Sequence, residues 1–247
     1  TFTNKADITN ASIMTLDNNS TFTNDRLLMN DTTATINISG SFVNNKGITN
    51  NNIINITSTG TLSNYDSIII NSKLVNEGRI VNEAGSRLIN NDTFDNRGGL
   101  INKGEFKNNS SGTFTHKDST LSNTEYIRNN GTFTNKGYLI NDSSIVNTGT
   151  FKHLDNQFDN KSAFINSGYL IIDSTMNVSG GSGNINNTGT VKVFTNGLLN
   201  YTSLKFTNND KFYNYGISIF DNVINNTSSE LHNYNSLTCK KLENKYI

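Results

Sequence analysis

One six-residue unit recurs along almost the whole chain, and it limits the folds open to the chain more than any other feature. The stretch Phe133 to Phe151 shows it plainly as FTNKGY, LINDSS and IVNTGT, followed by Phe again. Each unit opens with a bulky apolar residue (Phe133, Leu139, Ile145) and carries Asn at its third position (Asn135, Asn141, Asn147). Two of the three carry Gly at the fifth, Gly137 and Gly149. Phe2, Phe22, Phe42 and Leu62 begin FTN, FTN, FVN and LSN, so three units, one often longer, make a larger repeat. A fixed period of this size is the mark of repeat architectures, and those are looked for first.

The unit is too short for a helix, and its apolar residues do not recur at i, i+3, i+4 and i+7. Thr, Ile, Phe and Tyr fill the runs, with Asn, Gly, Asp and Ser between them, as strands and turns require. In an extended segment positions one and three share a face. The apolar residue and the Asn therefore point inward, and position two points out. Thr134, Lys107, Arg128 and Asp95 hold that second position. Gly at position five (Gly78, Gly98, Gly104, Gly131, Gly137, Gly149, Gly168, Gly189, Gly216) is expected to turn the corner at positive φ. Asn, Asp or Ser substitutes where it is missing.

The expected fold is all-β: one parallel β-solenoid domain spanning 1–247, with three short strands per turn. Coils begin near Phe2, Phe22, Phe42, Leu62, Ile80, Leu100, Leu121, Leu139, Phe158, Met176, Leu198, Ile217 and Leu237. That makes roughly twelve coils and, at about 4.8 Å per coil, a rod on the order of 55–60 Å long. Between Leu198 and Ile217 a one-residue shift fits equally well, and the Gly-rich run after Met176 blurs the phase. Phe should stack on Phe in the core and Asn on Asn at the corners, where amides both donate and accept. This accounts for Asn making up about a fifth of the chain, and for the absence of Pro, which has no N–H for a ladder. The charged segment 237–247, with Lys240, Lys241, Glu243 and Lys245, is expected to form a weak cap.

Runs such as GTFTNKGYLIN (131–141) and NTGTF (147–151) resemble the repeat-rich shafts of secreted bacterial adhesins, the filamentous-haemagglutinin-like and autotransporter-passenger β-helices. The resemblance is one of repeat style and covers nearly the whole chain. It implies a right-handed solenoid, which the long third units also favour, although a six-residue rhythm is equally that of left-handed hexapeptide helices. It also implies an extracellular or cell-surface location.

Charge narrows the partners. Twenty basic and twenty acidic residues leave a net charge of zero, with no basic stripe for nucleic acid. No apolar run is long enough to cross a bilayer, so no membrane insertion is expected. No signal peptide is evident, and a chain opening directly in the repeat at Phe2 reads as a mature or trimmed product.

Chemistry-bearing residues are sparse. The best carboxylate pairs, Asp92 with Asp95 and Asp155 with Asp159, lie at unit junctions, where Asp makes turn hydrogen bonds. His116 and His153 stand where Asn normally does and are expected to replace it in the ladder, and His232 is isolated. Cys239, the single cysteine, also holds a third position and reads as a structural thiol. No metal-ligand spacing appears, so catalytic residues, metals and cofactors are expected to be none. Thr1/Thr3 and Thr21/Thr23 begin a Thr-x-Thr array, which Ser41/Val43 and Thr61/Ser63 dilute. Thr113/Thr115 and Thr132/Thr134 fall on another face, which weakens an ice-binding reading. About 17 Asn-x-Ser/Thr sequons occur. Those expected to face outward are Asn19, Asn37, Asn55, Asn91, Asn109, Asn130, Asn177, Asn186 and Asn226, the candidate N-glycosylation sites.

The expected role is structural: a subunit of an extracellular fibre or surface filament that self-associates end to end. The alternative is an adhesin shaft or glycan-binding module with host-cell, surface or glycan ligands. A polysaccharide-active enzyme or an ice-binding protein fits less well. Recognition should use outward positions such as Thr134, Lys136 and Asn130, or the open ends.

Overall fold

The computed structural model describes residues 1–179 and 184–245, and of residues 202–205 the backbone only. Among the described residues thirty-three strands form a parallel β-solenoid of three strands per coil, and there is no helix. The three faces follow from the pairing. Phe2–Asn4 pairs with Thr21–Asn24 on the first face, Ile8–Asn10 with Leu28–Asn30 on the second, and Ile13–Leu16 with Thr35–Ile38 on the third. The three series then run from coil to coil as far as Ser236–Asn244 and, on the third face, Glu230–Asn233. Five strands do not stop at a corner: Thr113–Asn123, Thr132–Asn141, Leu198–Asn208, Ile217–Asn225 and Ser236–Asn244 each bend round it and serve two faces. The segment expected as a cap thus continues the stack, and its last two residues lie outside the described ones.

Alternation places the side chains as the unit requires. Thr61–Asn64 reads outward, inward, outward, inward, with Leu62 and Asn64 buried. The core is a column of aromatic and aliphatic side chains on each face. Phe133 stacks on Phe151 with ring centroids 4.5 Å apart and lies 4.6 Å from Phe114. Aromatic pairs at these separations add about 0.5–1.5 kcal/mol beyond the area they bury.

The expected register holds from Phe2 to Met176 and then moves by one residue. Met176 pairs with Leu199, and Leu199 with Ser218. Leu199 and Ser218 are buried, whereas Ile217 is 45% exposed. Of the two phases the sequence admits here, the chain takes the shifted one. It buries Phe220 and Tyr201 at the next inward positions, and Ser218 is made tolerable inside by donating its Oγ to Asn214 Oδ1 at 3.0 Å. The Gly-rich run 180–183 lies outside the described residues.

The corner glycines need correction. Positive φ occurs at only one glycine, Gly85, and at Asn19, Asp118, Asn156 and Ser228, among the described residues. None of the glycines expected to need positive φ has it. They are glycine because the coils pack too closely for a Cβ: one on Gly98 would lie 2.0 Å from the carbonyl oxygen of Gly78, and one on Gly131 2.2 Å from that of Gly112. The constraint is contact with the coil before, not backbone strain.

Candidate functional surfaces

The inner corners hold three columns of buried asparagines. On the first face Asn4, Asn24, Asn44, Asn64, Asn82, Asn102, Asn123, Asn141 and Asn160 form an unbroken chain, each Nδ2 donating to the next Oδ1 at 2.6–3.0 Å. On the second face Asn10, Asn30 and Asn50 are linked, Ile70 interrupts, and a second run goes from Asn90 to Asn225 at 2.7–2.8 Å. The third face is patchy: Asn76 donates to Asn96, Asn96 to His116 Nδ1, Asn135 to His153 Nδ1, and Asn214 to Asn233.

Every one of these bonds runs the same way, from earlier coil to later. The backbone enforces that sense. Asn129 Nδ2 also lies 3.1 Å from the Gly131 carbonyl and 2.9 Å from that of Thr150, so the amide nitrogen must face the corner and the oxygen the coil before. Three acceptors share two hydrogens, so one bond is bifurcated. Two interruptions leave the next oxygen unserved, while after the others Asn76 Oδ1 accepts from the Gly78 N–H and Asn214 Oδ1 from Ser218. Ile70 has no amide for Asn90, and His116 spends its Nε2 on the Ser119 carbonyl rather than on Asn135. The buried oxygens without a partner include Asn90 Oδ1 and Asn135 Oδ1.

The nine sequon asparagines all lie outside these columns, partly or fully exposed. Several are tied to neighbouring coils. Asn55 Nδ2 donates to Asn37 Oδ1 at 3.0 Å, and Asn91 to Asn71 at 2.7 Å. Asn109 donates to Asn91, Asn226 to Asn209, and Asn177 to Asp159. Asn130 and Asn186 act as acceptors, from Thr148 and Asn209. Asn19 sits at an exposed turn with φ 64°. These outer amide bonds run from later coil to earlier, opposite to the inner columns.

The carboxylates are engaged locally. Asp92 accepts from Thr93, and Asp155 from the Asn156 backbone. Asp95 meets Arg97 at 2.9 Å and Lys117 at 3.4 Å. Burial works to raise the pKa of Asp159, but hydrogen bonds from Tyr138, Asn177 and Gln157 and the charge of Lys161 hold it below the ordinary carboxylate range. No group of three or more His, Cys, Asp or Glu that could hold a metal occurs among the described residues. Among the described residues no helix is long and apolar enough to cross a membrane. His116 and His153 are fully buried in the third column, as their positions implied. Cys239 is half-buried in register with Phe220. Tyr201 takes an Asn position on the first face, and its hydroxyl accepts from the Ile185 N–H at 3.0 Å. Burial pushes its pKa up to about 12.

Two outer features stand apart from the Ser/Thr-rich surface. One is an open groove of about 680 Å³ beside the protruding turn at Gly85, lined by Arg87, Lys103, Glu105, Tyr126 and Arg128 among others. Its cations are mostly paired, Lys103 with Glu83 and Arg128 with Glu105 and the Tyr126 ring. The other is an aromatic array on the third face near the end of the described chain. Tyr213 stacks on His232 at 5.0 Å and Tyr215 on Tyr234 at 4.7 Å, with His232 and Tyr234 side by side at 6.2 Å and nearly coplanar. Phe194 extends one stack, Lys192 lies over Tyr213, and Tyr234 is 60% exposed. Outward aromatics occupying alternate positions on successive coils were readable in the sequence as YNY and HNY (213–215, 232–234), but the pattern does not stand out until the register is known.

No family model matches this chain, and no curated protein or solved structure matches it either.

Proposed function

We propose that the chain is a structural rod, part of an extracellular or cell-surface fibre built by head-to-tail stacking of β-solenoid units. One observation carries this reading: wherever the inner amide columns form they have the same polarity, and on the second face amide positions extend from Asn10 to Asn244 with Ile70 as the interruption. A coil from any chain can extend such a column only in the same sense, because the reverse sets donor against donor. Stacking of that kind is heterologous and propagates into a filament. The interior is devoted to coil-on-coil bonding, and stability in such an array is a sum of repeat and nearest-neighbour terms.

Electron microscopy and sedimentation over a rising concentration series test this reading. Polar fibres of uniform width should grow with concentration, and Ile13→Lys, on a strand edge of the first coil, should abolish them. A monodisperse monomer at every concentration would overturn it. The second reading, an adhesin or glycan-binding module, is favoured by the Tyr213–His232 and Tyr215–Tyr234 array, since exposed aromatics with polar handles commonly meet sugars or partner surfaces. Glycan-array binding that is lost in Tyr234→Ala would support it.

A further inference from the structure

The third column contains two histidines in the place of asparagine, and their surroundings are not equivalent. His116 Nδ1 accepts from Asn96 Nδ2 at 2.7 Å, and its Nε2 donates to the Ser119 carbonyl at 3.0 Å. His153 Nδ1 accepts from Asn135 Nδ2 at 3.0 Å, and its Nε2 donates to the Thr175 carbonyl at 2.8 Å. Both rings are therefore held neutral, in the tautomer with hydrogen on Nε2. A second proton on Nδ1 would point at the N–H of the asparagine before it.

Whether that conflict is relieved depends on the asparagine. Asn96 cannot turn its amide over, because its Oδ1 accepts from Asn76 at 2.6 Å and its Nδ2 also serves the Gly98 carbonyl. A flip that cured the clash with His116 would create another with Asn76. Asn135 has no such bond before it: its Oδ1 is buried without a partner, so a flip breaks no bond to an earlier amide, although it turns Oδ1 toward the Gly137 carbonyl. The charged groups around His116 are Lys117 and Asp118 on its own strand, Asp95 and Arg97 on the preceding coil and Lys136 on the following one. Around His153 they are Lys152 and Asp155, with Lys136 before and Asp173 after. Asp118 and Asp155 each favour the protonated ring, but burial outweighs them and lowers the pKa of both histidines.

We propose that the His116 position is an acid-sensitive joint in the rod: because Asn76, Asn96 and His116 form a one-way hydrogen-bonded column, protonating the ring breaks the column and loosens the adjacent coils, whereas a proton on His153 disturbs no amide before Asn135. The sign follows from linkage. Above the unfolded value of about 6.5 both states are neutral and nothing is lost. As pH falls below that value the unfolded chain takes up the proton first, and stability drops until the folded pKa is passed.

Amide hydrogen exchange at about pH 7.5 and about pH 5, corrected for intrinsic rates, tests the joint in the wild type, His116→Asn and His153→Asn. Asparagine is the usual residue at this position, so both variants keep the column's chemistry. In the wild type, protection in 113–117 and 132–136 should fall at least about tenfold at the lower pH. His116→Asn should hold its protection, and His153→Asn should lose it as the wild type does. Equal loss in His116→Asn, or none in the wild type, overturns the proposal. NMR titration of the wild-type His116 ring gives an arm independent of the variants. Its protonation should track the loss of protection, and protonation near 6.5 with protection intact would refute the joint.

Discussion

The first-face and third-face columns run through the same coils, differ in continuity, and show what an asparagine ladder needs. On the first face nine amides in succession satisfy one another from Asn4 to Asn160. On the third, Leu16, Ile38 and Ile56 occupy the earliest coils, a histidine breaks the run, and Asn135 is left with an unserved oxygen. A single amide is a poor guest in a core, since an unpaired buried polar group costs about 1–3 kcal/mol. A column of amides is self-consistent, because each supplies the donor the next requires. Continuity, rather than the number of asparagines, is what stabilises the inner corners.

The comparison can be broken where a column already fails. Ile70 interrupts the second-face column between Asn50 and Asn90 and is fully buried. Ile70→Ala should lose about 2–5 kcal/mol in denaturant unfolding, as truncation of a core aliphatic does. Ile70→Asn should lose at least about 1 kcal/mol less, because the new amide gives Asn90 Oδ1 its missing donor. A loss in Ile70→Asn equal to or greater than that in Ile70→Ala would argue that continuity contributes nothing.

Position within a column gives the next contrast. Asn129→Ala, in mid-column, deprives Asn108 of an acceptor and Asn147 of a donor, and should cost about 3 kcal/mol in urea unfolding. Asn160→Ala, at the last amide before Val178, strands no later partner and should cost about 1–2 kcal/mol. Acid sensitivity sharpens the difference between faces. Stability of the wild type should fall as pH drops below about 6.5, and the fall should shrink in His116→Asn. Smallest of all should be Asn91→Ala in the outer ladder, within about 0.5 kcal/mol, because water replaces the partners an exposed amide loses.

Much of this architecture was legible in the residues. Period-two alternation within each unit placed Phe22, Leu62 and Asn64 inside, and the coil starts from Phe2 to Met176 agree with the pairing. The reading slipped where neighbouring apolar residues offered two phases. Leu198 and Leu199 are both credible core residues, and Ile217 with Ile219 is locally a better inward pair than Ser218 with Phe220. The observed phase packs Phe220 against Phe206, 5.0 Å away, and against Tyr201 and Phe212, and the Phe206 contact joins different faces. The corner glycines were recognised for the wrong reason, since their constraint comes from a carbonyl of the coil before, about twenty residues away in a repeat of this size. The polarity of the ladders and the tying of Asn55, Asn91 and Asn177 to their neighbours also depend on register across coils. Asn19 alone, at a turn, could be placed from its immediate sequence.

The central claim is that the inward asparagine amides form buried, hydrogen-bonded columns. Exchange of side-chain Nδ2 protons with solvent deuterium, followed by NMR on asparagine-labelled protein, measures this most directly. Asn24, Asn108 and Asn129 should exchange orders of magnitude more slowly than Asn19, with the slow class confined to the inner columns. Rapid exchange at all of these positions, within the dead time of the experiment, would contradict the account.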